Sequence, residues 1–351
     1  MTMSLHPVLQ ADFARIASAP LPWHALDRSS VLVTGAGGLV ASYVVEFLLS
    51  LREQLGVGPA VVCAVVRDLG RAQGRYAGYA TRRDLLLLKQ DVARPIQHDT
   101  RFDFIVHAAG RAMPSAFGGD PVGTYLPNVL GTHLLLERAR RDGARGFLFV
   151  SSGAVHGVLP AHAVIAEDVY GVVDPLDLRS GYAESKRMGE TMCRSWHAQY
   201  GVPTVIARLG HTYGPGVSRS DERAFAEFLY AVVDGRNIVL NSDGSAVRPY
   251  CYLADATEGM LRVLLTGSHG EAYLVQNPHA TCSVRDLATI IAQLAPERRV
   301  HVQQGGEAPG VGYLPNRDPP RPVSIAKMNA LGWFPTVGIT DGFRRTLDTL
   351  L

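Results

Sequence analysis

The feature that most constrains the fold is a repeated alternation of short apolar segments with longer helical segments from residue 30 onward. The apolar segments are predicted as strands over residues 30–34, 60–66, 85–88, 102–107, 146–150 and 204–208. Segments between them are predicted as helices over residues 40–51, 125–141 and 181–200. Parallel strands need crossovers of this kind, and strands covered on both faces are apolar along their length. The sequence therefore predicts an α/β fold with a doubly wound parallel sheet.

The pattern divides the chain into three parts. Residues 1–28 form a short lead-in before the first strand, and residues 29–209 are predicted as a Rossmann-type dinucleotide-binding domain. Residues 210–351 are richer in proline and less regular, which indicates mainly a smaller C-terminal substrate-binding lobe. Within that half, residues 248–266 are expected to return to the Rossmann-type domain.

The lead-in is predicted to be amphipathic. Phe13 and Ile16 are expected to cover one apolar face, while Asp12 and Arg15 are expected to stay in water. The sequence assigns this segment no further role.

Composition excludes several classes of protein. Of the 351 residues, 47% are hydrophobic and 19% are charged, which is typical of globular proteins and unlike disordered or collagen-like chains. The formal net charge is +2 with both signs scattered, so no basic stripe indicates a nucleic-acid partner. The N-terminal segment lacks an unbroken apolar core of signal-peptide or membrane length. We therefore expect a soluble, cytoplasmic protein with no membrane partner.

The cysteines carry no metal or disulfide pattern. They are widely separated, at Cys63, Cys193, Cys251 and Cys282. No C-x-x-C pair and no histidine cluster with metal-ligand spacing is present in the sequence. The sequence predicts small buried thiols in a reducing compartment and no metal site.

A glycine-rich turn follows the first strand and opens the first long helix. It contains Gly35, Gly37 and Gly38, with Leu39 at the start of the helix and the small Ala41 one turn later. The backbone N–H groups of such a turn bind a pyrophosphate when no side chain obstructs them. The strand, turn and helix order favours a dinucleotide site over an ordinary turn.

Residues after the second and third strands are predicted to hold the adenosine end of the dinucleotide. An acidic residue after the second strand would accept hydrogen bonds from the adenosine ribose, and this chain has Arg67 there. NAD is the expected cofactor, but this arginine leaves NADP open. Asp91 and Val92 follow the third strand and are predicted to contact the adenine.

A loop of small residues follows the fourth strand. Ala108, Ala109 and Gly110 are predicted to lie beside the cofactor. The preceding His107 has two interpretations, a hydrogen-bonded loop residue or a catalytic one, and the sequence leaves both open.

Ser152, Tyr182 and Lys186 form the predicted catalytic group. Ser152 lies at the carboxyl end of the fifth predicted strand, where parallel sheets bind ligands. Tyr182 and Lys186 are four residues apart, so on a helix they share one face and the ammonium favours the phenolate. A hydroxyl, a phenol and an ammonium beside a nicotinamide remove the proton of an alcohol while hydride leaves its carbon.

With these motifs in order, the chain resembles the extended short-chain dehydrogenase/reductase family, specifically its nucleotide-sugar epimerases, dehydratases and decarboxylases. The resemblance runs over residues 31–265 and includes motifs at 34–38, 107–110, 128–132, 151–152, 182–186, 213–216 and 248–252. It implies a tightly held NAD, with Ser152 and Tyr182 at the sugar 4-hydroxyl and Lys186 on the cofactor ribose and the phenolate.

The resemblance also implies further site residues. Asn128 is expected beside the cofactor. The substrate side is expected to include Ser115, Gly153 and, near the diphosphate, Arg248. Arg111 or Arg179 is available to pair with a sugar carboxylate, with a solvated surface role as the alternative. Relatives carry a tyrosine where this chain has His156, so the role of His156 stays open.

The two residues after Ser152 bear on which reaction follows. A 4,6-dehydratase of this family has an Asp-Glu pair there, because two proton transfers need carriers, and the decarboxylases have a Glu at the second position. This chain has Gly153 and Ala154, which carry no proton. We therefore expect a nucleotide-diphosphate-sugar 4-epimerase first, a UDP-glucuronate decarboxylase second and an NDP-hexose 4,6-dehydratase third. A non-catalytic nucleotide-binding protein is the alternative from a different class.

Two partners follow from the resemblance. A nucleotide-diphosphate sugar is the expected substrate. A homodimer is expected in which the helices at residues 125–141 and 181–200 pack as a four-helix bundle. Leu134, Leu135 and Met192 are candidate contacts, with core packing as the alternative for each.

Overall fold

A seven-stranded parallel sheet forms the centre of the computed structural model, which describes residues 5–305 and 321–351. The strands are β1 (Ser30–Thr34), β2 (Val61–Val66), β3 (Leu85–Lys89), β4 (Phe104–His107), β5 (Gly146–Ser152), β6 (Thr204–Leu209), β7 (His211–Tyr213), β8 (Ile238–Leu240), β9 (Val247–Tyr252), β10 (Ala272–Val275), β11 (Thr281–Ser283) and β12 (Val302–Gln304). The central sheet has the order β10-β6-β5-β4-β1-β2-β3, with every neighbouring pair parallel. The predicted Rossmann-type doubly wound fold is confirmed.

The winding reverses between β1 and β4. The chain passes from β1 to β2 and β3 on one side, and then to β4, β5, β6 and β10 on the other. Sheets of this kind bind ligands in the crevice outside the carboxyl ends of the strands at such a reversal. The C-terminal half adds a smaller sheet, β11-β9-β7, and the pair β12-β8.

Helices cover both faces of the central sheet. They are α1 (Pro7–Ala17), α2 (Leu39–Leu55), α3 (Leu69–Arg75), α4 (Pro114–Gly119), α5 (Pro121–Leu126), α6 (Thr132–Asp142), α7 (Ser180–Tyr200), α8 (Ala224–Val233), α9 (Leu253–Thr266), α10 (Val284–Gln293), α11 (Ala326–Ala330) and α12 (Ile339–Asp348). None of these described helices has the length and apolar character needed to cross a bilayer.

The single helix predicted over residues 125–141 is interrupted. The structure has a π-helix at Pro127–Gly131 between α5 and α6. Pro127 has no backbone N–H and therefore breaks the regular hydrogen-bond ladder of an α-helix. The Pro127 carbonyl oxygen of this irregular turn lies 3.1 Å from His107 Nε2, at the end of β4.

The three candidate subunit contacts differ in how far their side chains are buried. Leu135 is fully buried in the core, so it is not available to a second subunit, whereas Leu134 and Met192 are half-buried. The cysteines are free thiols, with Cys63, Cys193 and Cys251 buried and Cys282 half-buried.

The lead-in contains α1, which packs against α2 and α9. The expectation that Asp12 faces water is wrong, because this residue is 0% exposed. Its carboxylate accepts hydrogen bonds from the hydroxyls of Tyr43 (2.8 Å) and Tyr252 (2.6 Å) and from Arg345 Nη1 (3.0 Å). These donors lie on α2, β9 and α12, which periodicity within α1 cannot reveal. Arg15 pairs with the buried Asp255 at 2.8 Å.

We predict that Asp12→Ala lowers the free energy of unfolding by about 2–4 kcal/mol, because it leaves buried donors without an acceptor. Asp341→Ala is the matched control, since it removes the exposed carboxylate that pairs with the same Arg345. Urea unfolding of both variants measures the difference. Equal, small losses in the two variants would contradict this account of α1.

Candidate active site

The glycine turn lies against the loop that follows β4. Gly35 has a φ of +73°, and a Cβ there would lie 2.7 Å from Ala109 Cα and 2.8 Å from the Ala108 carbonyl oxygen. Only glycine therefore permits this approach. Gly38 precedes Leu39, the first residue of α2, and a Cβ on Gly37 would meet only open space. The turn thus leaves an unobstructed surface at the start of a helix.

His107 connects the two sides of this crevice. Its Nδ1 lies 2.8 Å from Thr34 Oγ1, at the end of β1, and its Nε2 lies 3.1 Å from the Pro127 carbonyl oxygen in the π-helix. Complete burial and the Lys186 charge lower the pKa of His107 to about 3, so the ring is neutral at physiological pH. Both ring nitrogens have partners, which favours the structural interpretation of this residue over the catalytic one.

The crevice fits a bound dinucleotide. Asn128 is buried, and its Nδ2 donates to Ser185 Oγ at 3.0 Å, while its Oδ1 has no hydrogen-bond partner within the described chain. A Cβ on Gly110 would lie 3.1 Å from that oxygen and 3.6 Å from Lys186 Nζ. An unpartnered buried acceptor and an ammonium thus flank a surface kept free of side chains, which suits a ligand rich in hydroxyl groups.

The residues predicted for the adenosine end lie at neighbouring strand ends. Arg67 is exposed directly after β2. Asp91 is exposed and its Oδ1 accepts from the Ala93 N–H at 2.9 Å. Val92 is buried and packs beside Gly131 of the π-helix. Asp91 and Val92 follow β3, so all three residues lie at the carboxyl edge of the sheet.

Ser152 and Tyr182 meet at the carboxyl end of β5. Ser152 is the last residue of that strand, and Tyr182 lies in the first turn of α7. Burial raises the pKa of Tyr182, while the hydrogen bond with Ser152 and the charge of Arg223 lower it by less. The structure therefore brings the predicted hydroxyl and phenol together.

Lys186 does not have the predicted effect on Tyr182. Its Nζ donates to the Val150 carbonyl oxygen at 2.7 Å and lies 5.9 Å from the centre of the Tyr182 ring. The pKa of Tyr182 is raised rather than lowered, because burial outweighs the groups that favour the phenolate. The helical spacing correctly places the two residues on one face. The Lys186 ammonium, however, donates its hydrogen bond to the Val150 carbonyl oxygen of β5.

A buried carboxylate lies one turn beyond Lys186. Burial lowers the pKa of Lys186 to about 7, and Glu190 acts in the opposite direction. Glu190 accepts from Ser151 Oγ at 2.5 Å and pairs with Arg208, whose Nη2 lies 2.7 Å from Glu190 Oε2. Arg208 is 1% exposed and comes from β6. This ion pair fixes α7 to β6 beside the predicted catalytic group.

Helix α4, which carries the predicted substrate residue Ser115, lies over Tyr182. Phe117 stacks on the Tyr182 ring, with 5.3 Å between the ring centres and 24° between the planes. Ser115 is not free, because its hydroxyl donates to Glu222 Oε1 at 2.6 Å. Helix α4 is therefore joined to the segment before α8.

The opposite wall carries small residues and positive charges. A Cβ on Gly153 would lie 3.2 Å from Gln276 Nε2, so the Gln276 amide occupies the space beside it. Arg248 donates to the Val247 carbonyl oxygen. Loss of solvation, together with the charges of Arg248 and Arg223, lowers the pKa of His211 to about 4. Arg223 is compensated by Asp221, whose Oδ2 lies 2.5 Å from Arg223 Nη2, whereas Arg248 has no ion-pair partner among the described residues.

Three other candidates are engaged elsewhere. Arg111 forms an ion pair with Asp120, and Arg179 pairs with Asp177 at 2.6 Å on the surface. His156 is buried with Nδ1 2.7 Å from the Val169 carbonyl oxygen, and its Nε2 has no partner among the described residues. Neither arginine is free to meet a sugar carboxylate in this arrangement.

Sequence reasoning misses several residues that surround the group. Phe117 lies two residues after the predicted substrate residue Ser115, but no local pattern indicates that it stacks on Tyr182. Arg223, Glu190 and Gln276 come from separate elements and reach the site only through the tertiary fold. The sequence does show an acidic residue, Glu190, four positions after Lys186, but its burial and its pairing with Arg208 are visible only in the fold.

The parallel sheet, the glycine turn and the serine, tyrosine and lysine at its carboxyl edge define a dinucleotide-dependent protein of the extended short-chain dehydrogenase/reductase class. Residues 31–275 match the sequence profile of the NAD dependent epimerase/dehydratase family. The chain belongs to this NAD-dependent enzyme family.

Individual relatives carry related names. The chain is 29% identical over 315 residues to "UDP-glucuronic acid decarboxylase 6" of Arabidopsis thaliana, covering 89% of this chain and 86% of the relative. A UDP-glucuronic acid 4-epimerase from Bacillus cereus, solved with UDP-glucuronic acid and NAD, superposes with a TM-score of 0.74 at 20% identity, over 92% of this chain and 98% of that one. The epimerase Mth375 of Methanothermobacter thermautotrophicus gives 0.78 at 22% identity, over 98% and 96%. The two structures show the shared fold.

We predict that Lys186→Met alters how stability depends on pH. The pKa of Lys186 is about 7 in the folded protein and 10.5 for an ordinary lysine. Between these values the unfolded chain binds more protons, so Lys186 makes wild-type stability rise with pH. From about pH 7 to about pH 9 the free energy of unfolding of wild type should rise by about 2 kcal/mol relative to Lys186→Met.

The matched control for this measurement is Lys327→Met, which removes a lysine that pairs with Glu271 nearer the surface. Its stability difference from wild type should stay constant over that pH range. Parallel profiles for wild type and Lys186→Met would contradict the lowered pKa.

Proposed function

We propose that this enzyme is a nucleotide-diphosphate-sugar 4-epimerase that acts through a transient 4-keto sugar. The observation that carries the proposal is the pair Ser152 and Tyr182 at the carboxyl end of β5, followed by Gly153 and Ala154. The first two supply proton removal at a hydroxyl, and the next two supply no further acid or base. Oxidation and re-reduction at C4 need a group that removes and returns the hydroxyl proton, and no second acid or base.

UDP-glucuronic acid is the substrate that we propose to test first. It is the sugar nucleotide named for both the Arabidopsis relative and the Bacillus structure. Arg248, which has no ion-pair partner among the described residues, suits its diphosphate. We place the nucleotide against the lobe formed by residues 210–351.

The residues present account for proton movement in the proposed reaction. Tyr182 Oη takes the proton of the 4-hydroxyl, and Ser152 holds that hydroxyl and the phenol in one hydrogen-bond geometry. Bound NAD supplies the hydride acceptor at C4. Lys186, with a pKa of about 7, exchanges a proton near neutral pH and lies beside the cofactor surface at Gly110. The keto sugar then turns to present its other face to the hydride donor, and the Gln276 amide beside Gly153 is available to hydrogen-bond it.

Decarboxylation is the second candidate. The Arabidopsis relative is named a UDP-glucuronic acid decarboxylase, and the similarity to this chain extends over 86% of its length. Once C4 of a glucuronate is a ketone, the carboxylate is β to it, and carbon dioxide leaves without a further oxidant. Gly153 and Ala154 supply no proton to the resulting enolate, so epimerisation is the better match. A 4,6-dehydratase would need two proton carriers at these positions and ranks third.

Mass spectrometry with sugar analysis separates these reactions. The purified protein is incubated with UDP-glucuronate, UDP-glucose and dTDP-glucose. An unchanged mass with a new 4-isomer supports the epimerase. Loss of carbon dioxide from UDP-glucuronate identifies the decarboxylase, and loss of water identifies the dehydratase.

We predict that Tyr182→Phe lowers turnover by roughly 10²–10⁴-fold, because it removes the group that takes the proton. Dinucleotide binding, measured by titration calorimetry, should stay within about threefold of wild type, since the phenol contributes little to affinity. Tyr200→Phe, on the exposed end of α7, is the matched control and should retain full activity. Unchanged turnover in Tyr182→Phe would favour the non-catalytic alternative.

We also propose a homodimer through α5, the π-helix and α7. Exposed apolar side chains lie along these elements: Val122, Tyr125, Leu130 and Met188. Their burial against a second copy would remove apolar surface from water.

We predict that the double variant Leu130→Glu, Met188→Glu is monomeric by light scattering at micromolar concentration, because buried charges in this contact lack partners. The matched control places the same change at Leu176→Glu, an exposed side chain outside these helices. A wild-type protein that is itself monomeric would contradict the dimer.

A further inference from the structure

We propose that Glu222 is a positioning residue, which reaches from the C-terminal lobe to α4 and keeps Phe117 stacked on Tyr182. This role rests on the proposed function, in which Tyr182 is the base. Glu222 itself lies outside the catalytic group, in the segment directly before α8. It acts on the reaction through α4 and not through a contact with the substrate.

Both oxygens of the Glu222 carboxylate accept hydrogen bonds from Ser115. Ser115 Oγ donates to Oε1 at 2.6 Å, and the Ser115 backbone N–H donates to Oε2 at 3.2 Å. The carboxylate has no ion-pair partner among residues 5–305 and 321–351. The neighbouring Arg223 attaches this segment to β7, because its Nη1 donates to the Thr212 carbonyl oxygen at 3.0 Å. A charged acceptor on a fixed segment is therefore directed at α4.

Helix α4 depends on such a contact for its position. It has six residues, and its last two are glycines, which disfavour a helix. Met113, before its first residue, makes no capping hydrogen bond with its side chain. Helices this short are marginal without tertiary contacts. On its other side α4 is held by α5, where Thr124 Oγ1 donates to the Ala116 carbonyl oxygen at 3.1 Å. Glu222 supplies the hydrogen bonds between α4 and the C-terminal lobe.

Phe117 carries the position of α4 to the base. Its ring centre lies 5.3 Å from that of Tyr182, with 24° between the planes. Because Ser115 and Phe117 belong to one short helix, a displacement at Ser115 also displaces the Phe117 ring. The stacked ring keeps water from one face of the phenol, and burial is what raises the pKa of Tyr182. Loss of the stack should therefore lower this pKa.

Other elements also present polar groups to Tyr182. The hydrogen bond with Ser152, at the end of β5, and the charge of Arg223, before α8, lower its pKa by less than burial raises it. Lys186 Nζ lies 5.9 Å from the ring centre and donates to a carbonyl oxygen of β5. Arg223 directly follows Glu222, so two consecutive residues of the lobe act on the phenol. One acts through its charge and the other through α4.

The test is an NMR titration of Tyr182 in the full-length protein, with tyrosine isotopically labelled at Cζ and the signal assigned from Tyr182→Phe. It needs no substrate and covers the pH range in which circular dichroism shows the native fold. Glu222→Ala and Phe117→Ala should both lower the pKa of Tyr182, because each admits water to the phenol. Glu222→Gln keeps an oxygen acceptor for the Ser115 hydroxyl and should lower it by less. The matched control Glu227→Ala removes an exposed carboxylate from α8 and should leave it unchanged.

A double-mutant cycle separates positioning from a direct effect of the Glu222 charge. Glu222→Ala in the Phe117→Ala background should give no further fall in the pKa of Tyr182, because the stack that Glu222 supports is already absent. A direct charge effect would persist in that background and would be equal in Glu222→Gln and Glu222→Ala. With a nucleotide-sugar substrate, Glu222→Ala should also lower kcat by roughly tenfold and change KM by less than about threefold, since the base is misplaced.

Two results would overturn the inference. One is an unchanged pKa of Tyr182 in Glu222→Ala, and the other is an equal fall with and without Phe117. If Glu222→Ala does not fold, Ser115→Ala removes the same contact from the other side. It should lower the pKa of Tyr182 by less, and an unchanged value would count against the role of Glu222. Absence of turnover in wild type with every nucleotide sugar would remove the proposed function, while the Tyr182 titration would still decide the role of Glu222.

Discussion

The site depends on one buried histidine. His107 joins Thr34 at the end of β1 to the Pro127 carbonyl oxygen in the π-helix, and its lowered pKa of about 3 keeps the ring neutral. A neutral ring makes one donating and one accepting contact, which this pair of partners can satisfy. The connection fixes the glycine turn, the loop after β4 and Asn128 relative to one another. The surface predicted for the dinucleotide therefore depends on a side chain whose two ring nitrogens are both held by the protein.

A second constraint acts through α7, which carries both Tyr182 and Lys186. The buried pair between Glu190 and Arg208 attaches this helix to β6. Buried ion pairs add little net stability, but breaking one leaves an uncompensated charge, so the arrangement favours a single position of the helix. Fixing α7 in this way sets the distance between the phenol and Ser152. The catalytic geometry thus follows from packing beneath the site as much as from the residues within it.

The sequence predicts the sheet because buried parallel strands leave a local signature, and β1 begins and ends where the apolar pattern does. The sequence also predicts that Ser152 and Tyr182 lie close together. Ser152 ends β5, and Tyr182 lies in the first turn of α7 at the same edge of the sheet. The pairing of Lys186 with the Val150 carbonyl oxygen, the burial of Asp12 and the stacking of Phe117 could not be predicted. Each depends on a partner far away in the sequence, which the periodicity within one helix or strand does not reveal.

The central claim is that hydride leaves C4 of the sugar while Tyr182 takes the hydroxyl proton. The most direct measurement follows deuterium from substrate labelled at C4, by mass spectrometry of the sugar nucleotide after turnover in ordinary water. The account predicts that deuterium returns to C4 of the product, because hydride held on a bound dinucleotide does not exchange with solvent. Complete loss of the label to water would show that C4 reacts by proton exchange and would contradict the account.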